Sequence, residues 1–290
     1  MTPMSSKTPM SSKLSGLSAI AANYDVVLSD IWGVLHNGVA AFPTAVDALQ
    51  QSRKAGLKVV LISNAPRPSK QVCEQLERLG VPSDAYDEIV TSGDMTRSML
   101  ISTYGGRKVT HIGPEKDKPL VAGLPIDFTS DEAAEVCLCS GLIDDKTEGP
   151  DDYRDRLSAL AERNIPMICA NPDKVVELGD TLIYCAGALA DIYEELGGEV
   201  IVLGKPHAPI YEAARKMTGN PSLARVLGLG DSMRTDLRGA SEQGFDCLFL
   251  TGGIHAAQFG PSASPNPKRV ESFLADAPYP AKGWMARLAW

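Results

Sequence analysis

The sequence predicts an α/β protein in which a parallel-sheet core carries a second, smaller α/β domain as an insertion. Three observations carry that reading. Short apolar runs alternate with amphipathic stretches in the first hundred residues and again near the C-terminus. The alternation breaks at Tyr104-Gly105-Gly106 and resumes at Val200. The apolar runs outside the break stop abruptly at polar residues, as strands do at the carboxyl edge of a parallel sheet, where ligands sit.

The elements follow in order. Val26-Val27-Leu28 reads as a buried strand that ends in Asp30, and Gly33 lets the chain turn away. A carboxylate just past a buried strand is costly unless it is paired or used. Pro43–Ala55 reads as a helix closed by Gly56, and Leu57–Ile62 as a strand ending at Ser63-Asn64. Pro68–Leu79 is a further helix, and Glu88–Ser92 a short strand, with Ser92 or Asp94 capping the helix that follows. Residues 105–199 change character: short strands (KVTHIG, VCLCSGL, PMICAN, TLIYC) accompany helices at Asp151–Glu162 and Ala186–Leu196. They read as the insert, with residues 19–104 and 200–290 forming the core. The core pattern returns with VIVLGKP, a strand ending in Lys205, then a helix Pro209–Met217. Arg225–Gly230 ends at Asp231, followed by Asp236, and Asp246–Leu250 is the last expected strand. Trp284 and Trp290 are placed to pack the C-terminal segment onto the body.

Bulk properties narrow the function. A formal net charge of -8 argues against nucleic acid as a partner, and an anionic ligand would need a local positive site. None of the six cysteines forms a CxxC pair, so they read as buried reduced thiols of a cytoplasmic protein; Cys137 and Cys139 share one strand face. No run is long enough to span a membrane. Residues 1–18 repeat TPMSSK, lack an apolar signal region and are expected to be a disordered tail.

Four strand ends therefore offer polar clusters: Asp30, Ser63-Asn64, Lys205, and Asp231 with Asp236. Two carboxylates at one sheet edge repel unless a cation lies between them, and hard oxygen ligands suit Mg²⁺. A hydroxyl and an ammonium hold phosphate oxygens, and a carboxylate attacks phosphorus. The glycines at 228 and 230 do not complete a dinucleotide fingerprint, and Gly204-Lys205 is followed by Pro206, so it is no P-loop.

DIWGVLHNG, SNAPR, GKPHAPIY and GLGDSMRTD, in that order, resemble the four motifs of the haloacid dehalogenase-like superfamily. The chain is most similar to its class IIA phosphatases, and ANPD and AGAL resemble elements of their cap. The resemblance implies a Rossmann-like parallel-sheet core with an inserted α/β cap domain. It implies Asp30 as nucleophile, Ser63 and Lys205 on the phosphoryl group, and Mg²⁺ on Asp30, the Trp32 carbonyl, Asp231 and Asp236. Asn64 and Arg67 would line the entrance, and Asn171 and Asp173 would reach the leaving group. The implied activity is hydrolysis of a small, sugar-like phosphate monoester through an aspartyl-phosphate, in a chain able to form homodimers. One position departs from the pattern. Trp32 stands where these phosphatases carry a second Asp that protonates the leaving group. His36 reads first as an ordinary loop histidine, and in the sharper reading as the substitute proton carrier. The rival to an enzyme is an impaired relative that binds a phosphorylated metabolite as a sensor or regulator.

Overall fold

The computed structural model describes residues 12–178 and 181–290. In chain order the elements are β1 (Val26–Ser29), α1 (Pro43–Lys54), β2 (Lys58–Ser63), α2 (Ser69–Leu79), β3 (Glu88–Thr91) and α3 (Ser92–Ser102). The insert supplies β4 (Lys108–Ile112), β5 (Asp127–Phe128), β6 (Val136–Cys139), α4 (Arg154–Glu162), β7 (Met167–Cys169), β8 (Val175–Leu178), β9 (Thr181–Tyr184), α5 (Ala186–Glu195) and β10 (Val200–Val202). The chain closes with α6 (Ala208–Met217), β11 (Val226–Gly230), α7 (Arg238–Gln243), β12 (Asp246–Leu250), α8 (Ala256–Phe259), α9 (Pro267–Ala275) and β13 (Gly283–Met285).

Two parallel sheets result. The core sheet runs β13-β12-β11-β1-β2-β3, and the cap sheet β10-β7-β6-β4-β5. β8 and β9 pair antiparallel as a separate hairpin. β1 is central because it is apolar on both faces: Val27 packs into one layer of the core, Val26 and Leu28 into the other. β1 lies between β11 and β2, and the strand order reverses there. That switch point opens a crevice at the carboxyl edge, next to Asp30. The cap has its own core, in which Cys137 and Cys139 pack together with Met167 and Leu189, as their shared strand face predicts.

Several expectations change. Val200–Val202, assigned to the core from its sequence, pairs with β7 in the cap sheet. Three apolar residues suit either sheet equally, so the run itself could not decide. Lys205 thus reaches the core edge on the return from the cap. The cap residue of α3 is Thr91, whose hydroxyl accepts from Asp94 N while the Asp94 carboxylate accepts from Thr91 N. Of the tail expected over residues 1–18, residues 1–11 lie outside the described ones. From Ser12 onward the chain is packed: Leu14 N donates to Trp284 O at 3.0 Å, and Leu17 is fully buried. Two leucines in a serine-rich tract are enough to dock it. β13 was not expected, but it carries the buried Trp284 that this segment meets.

Candidate active site

Asp30 follows β1 and Asp231 follows β11, and these strands are direct neighbours, so their register sets the two carboxylates side by side. Asp236 joins them from the turn Met233–Leu237, which is held by Ser232 accepting from Thr235 N. Oxygens of all three lie within 4.8 Å of one another. Lys205 enters between them: Nζ is 2.8 Å from Asp30 Oδ1 and 2.6 Å from Asp236 Oδ1. Backbone amides complete the set, with Ile31 N donating to Asp30, Ser232 N to Asp236 and Ile254 N to Asp231. Glycines make room. A Cβ on Gly33 or Gly253 would collide with the Asp231 carboxylate, and Gly33 also turns at φ +81.

Burial pushes the Asp30 carboxyl up to about 7, Lys205 opposing and Asp236 and Asp173 adding to the rise. Burial and the charges of Asp30 and Asp236 push Asp231 well above the carboxylate range. Burial alone would lower the Lys205 ammonium, but Asp236 and Asp30 outweigh it and hold it charged. With all three carboxylates ionised against one ammonium, two negative charges remain in a buried corner. A hard divalent cation answers that excess, and the donors are the all-oxygen set it takes. The site residues therefore fit Mg²⁺.

Ser63 and Asn64 leave β2 towards the same crevice. The Ser63 hydroxyl accepts from Ala65 N at 3.2 Å. Asn64 is tied down on three sides: Oδ1 accepts from Lys205 N at 2.7 Å, and Nδ2 donates to Lys205 O and to Asp173 Oδ1, the last at 2.9 Å. Its amide is thus a clamp that fixes Lys205 and joins core to cap, a role that entrance lining did not anticipate. Asp173 opens onto the cavity yet sits among protein atoms, and burial raises its carboxyl, with Lys205 and Asn64 opposing. Asn171 is buried beside it and accepts from Asp173 N.

These groups face a cavity of about 380 Å³ between core and cap, lined also by Trp32, His36 and Arg67. The Trp32 ring meets the His36 ring edge-on at 4.9 Å. His36 is buried, and its Nδ1 accepts from Gly38 N. Burial and the Arg67 charge pull its pKa down to about 4. With that shift it is uncharged at neutral pH, and it packs against Trp32.

One model of the haloacid dehalogenase-like hydrolases matches residues 27–126, and a second, HAD-hydrolase-like, matches 202–277. A crystal structure of a haloacid dehalogenase-like hydrolase from Brucella suis is 40% identical, covers 94% of this chain and 98% of its own, and superposes with a TM-score of 0.83. The chain belongs to the haloacid dehalogenase-like hydrolases. This hydrolase is also similar to a D-glycerol 3-phosphate phosphatase of Mycobacterium tuberculosis, 28% identical over 83% of this chain and 67% of the relative. A sugar-phosphatase, AraL, of Bacillus subtilis is 28% identical over 78% of the chain and 83% of the relative.

The hydrolase also brings to the cavity residues that the motifs did not flag: Lys116, Asp117, Ser140, Asp145 and Arg234. Asp145 belongs to the acidic run IDDKTEGPDD (residues 143–152), yet it is bound by Lys116 and lines the cavity. A non-periodic cap segment rich in charge was the available signal, and such a segment reads equally well as solvent-exposed.

Proposed function

We propose that this hydrolase cleaves small phosphate monoesters by a two-step displacement at phosphorus. The observation that carries the reading is the convergence of Asp30, Asp231 and Asp236 on the buried Lys205. Mg²⁺, held by Asp30, Asp231, Asp236 and the Trp32 carbonyl, would supply charge neutralisation for the phosphoryl oxygens. Lys205 and the Ser63 hydroxyl hold the remaining phosphoryl oxygens. Asp30 attacks phosphorus, the P–O bond to the leaving group breaks, and the phosphoryl group is carried on the Asp30 carboxylate. Water then attacks phosphorus, releases inorganic phosphate and restores Asp30.

The leaving oxygen needs a proton, which Trp32 cannot give. We assign that transfer to Asp173. It stands on the cap, within electrostatic reach of Asp30 and Lys205, with its carboxyl pushed up towards the protonated form. It protonates the departing alkoxide and takes the proton back from the attacking water. The relatives named as phosphatases of glycerol and sugar phosphates support a small polar substrate. The six thiols are free, which suits a cytoplasmic setting, and among the described residues no helix is long and apolar enough to cross a membrane.

The test is phosphate release from a panel of esters with and without Mg²⁺. Metal-dependent release that vanishes with chelator is expected. Tight binding of an ester without release would instead favour the sensor reading.

A further inference from the structure

The hairpin β8–β9 gives the cavity one of its walls, through Val175, Val176, Ile183 and Tyr184. Among the described residues its strands pair only with each other and not with the cap sheet. A two-stranded ribbon is marginal on its own and needs a surface to pack on. Leu178, at the end of β8, supplies a contact with the core. A Cβ added to Gly38 would stand 2.7 Å from Leu178 Cδ1 and 2.6 Å from Trp32 Cζ2. The Leu178 methyl and the Trp32 ring therefore close on one point of the loop after β1, and only a glycine there leaves room for both.

That loop is built to hold the ring. Bridges from Trp32 to His36 and from His36 to Ala41 fold it back on itself. The His36 ring lies edge-on to Trp32 at 4.9 Å, and His36 Nδ1 accepts from Gly38 N at 3.0 Å. Trp32 also stands between two spaces, for it lines both the cavity of Asp30 and a second one of about 310 Å³ beside Phe42 and Arg287. An aspartate at position 32 would offer neither the reach nor the apolar surface for this contact. We propose that Trp32 is a positioning residue: it seats hairpin β8–β9 on the core and so keeps the cavity closed on its cap side when substrate binds. The position that carries the proton in the phosphatases this chain resembles here holds the cap. The effect on binding rests on the phosphate-ester reading above; the seat itself does not.

Hydrogen exchange of the full chain, read by mass spectrometry on peptides spanning residues 175–184, tests the seat without turnover. Trp32→Ala and Leu178→Ala are each expected to speed exchange there by about tenfold, with peptides of β1 and β11 unchanged. Trp32→Phe, which keeps a ring, is expected to stay within about threefold of the parent. Both truncations remove the same contact, so the double variant should exchange no faster than the faster single one. Leu178 does not line the cavity, so an effect of Leu178→Ala on binding must pass through the hairpin. The KM for p-nitrophenyl phosphate is expected to rise about three- to tenfold in both Ala variants, with kcat changed less. Unchanged exchange over residues 175–184 in either Ala variant, a matching acceleration in β1 and β11, or an additive double variant overturns the seat. Faster exchange with an unchanged KM overturns its part in binding. If the unsubstituted chain releases no phosphate from any ester, the phosphatase reading fails, while exchange still decides the seat.

Discussion

The core and cap walls of the cavity treat their carboxylates differently. On the core side Asp30, Asp231 and Asp236 each accept from a backbone amide, and two of them also hold Lys205. On the cap side Asp117 is more deeply buried than any of them, yet one of its oxygens has no donor. The sheet edge is built in advance of any ligand, as a charge-stabilising site must be if it is not to reorganise during reaction. The cap wall is left unsatisfied. That costs stability in the folded protein. The core carboxylates are thus satisfied by strand register and backbone amides, and the cap carboxylate is not.

The largest blow to the core side is loss of the nucleophile. Asp30→Asn is expected to lower kcat on the order of 10⁴-fold or more with the fold intact, as seen when a nucleophile is removed from a preorganised site. Near-normal turnover would remove Asp30 from its role. Next is the group that links the two walls. Asp173→Asn should cut turnover of an alkyl phosphate by roughly 10²–10⁴-fold, and that of p-nitrophenyl phosphate, whose leaving group needs no proton, far less. Trp32→Asp should give no gain if Asp173 carries the proton as proposed. A tenfold rise would assign the deficit to position 32 and contradict Asp173.

These predictions also mark what the sequence made legible. Asp30, Ser63 and Asp231 stand at the ends of apolar runs, and period and polarity alone place them at one sheet edge. Lys205 was found in the same way, after an apolar run, although that strand belongs to the cap sheet. Asp117 was not found. It sits on a 3-10 turn without amphipathic period, between two lysines, and only the return of the cap over the core brings it to the cavity. The clamp role of Asn64 was equally hidden, because its partners Asp173 and Lys205 lie more than a hundred residues away. Such contacts are set by tertiary packing and leave no local trace.

Smaller effects probe the join and the cap wall. Asn64→Ala leaves Lys205 N and Asp173 without their partner, and should destabilise the protein by about 1–3 kcal/mol while lowering kcat by roughly tenfold. Thermal unfolding and kinetics on the same variant check both, and loss of stability without loss of kcat would limit Asn64 to structure. Asp117→Asn should act the other way on stability. The folded-state carboxyl is raised from 3.8 to about 6, so its ionised form is disfavoured in the folded chain. The wild type therefore loses stability as pH rises from about 4 to 6, and the Asn variant does not. Above pH 7 the variant should be more stable, by up to about 3 kcal/mol, with the two converging near pH 4. Melting curves across that range check this, and a variant less stable than the wild type at pH 8 would mean that the ionised Asp117 supports the fold.

The central claim is that Asp30 itself carries the phosphoryl group. A radiolabelled phosphate ester mixed with the Mg²⁺-loaded chain, quenched within the first turnover and mapped by peptide, tests it directly. The label is expected on the peptide containing Asp30, and to be absent in Asp30→Asn. Rapid phosphate release with no label ever on that peptide would mean that water attacks the ester directly, and would contradict the account.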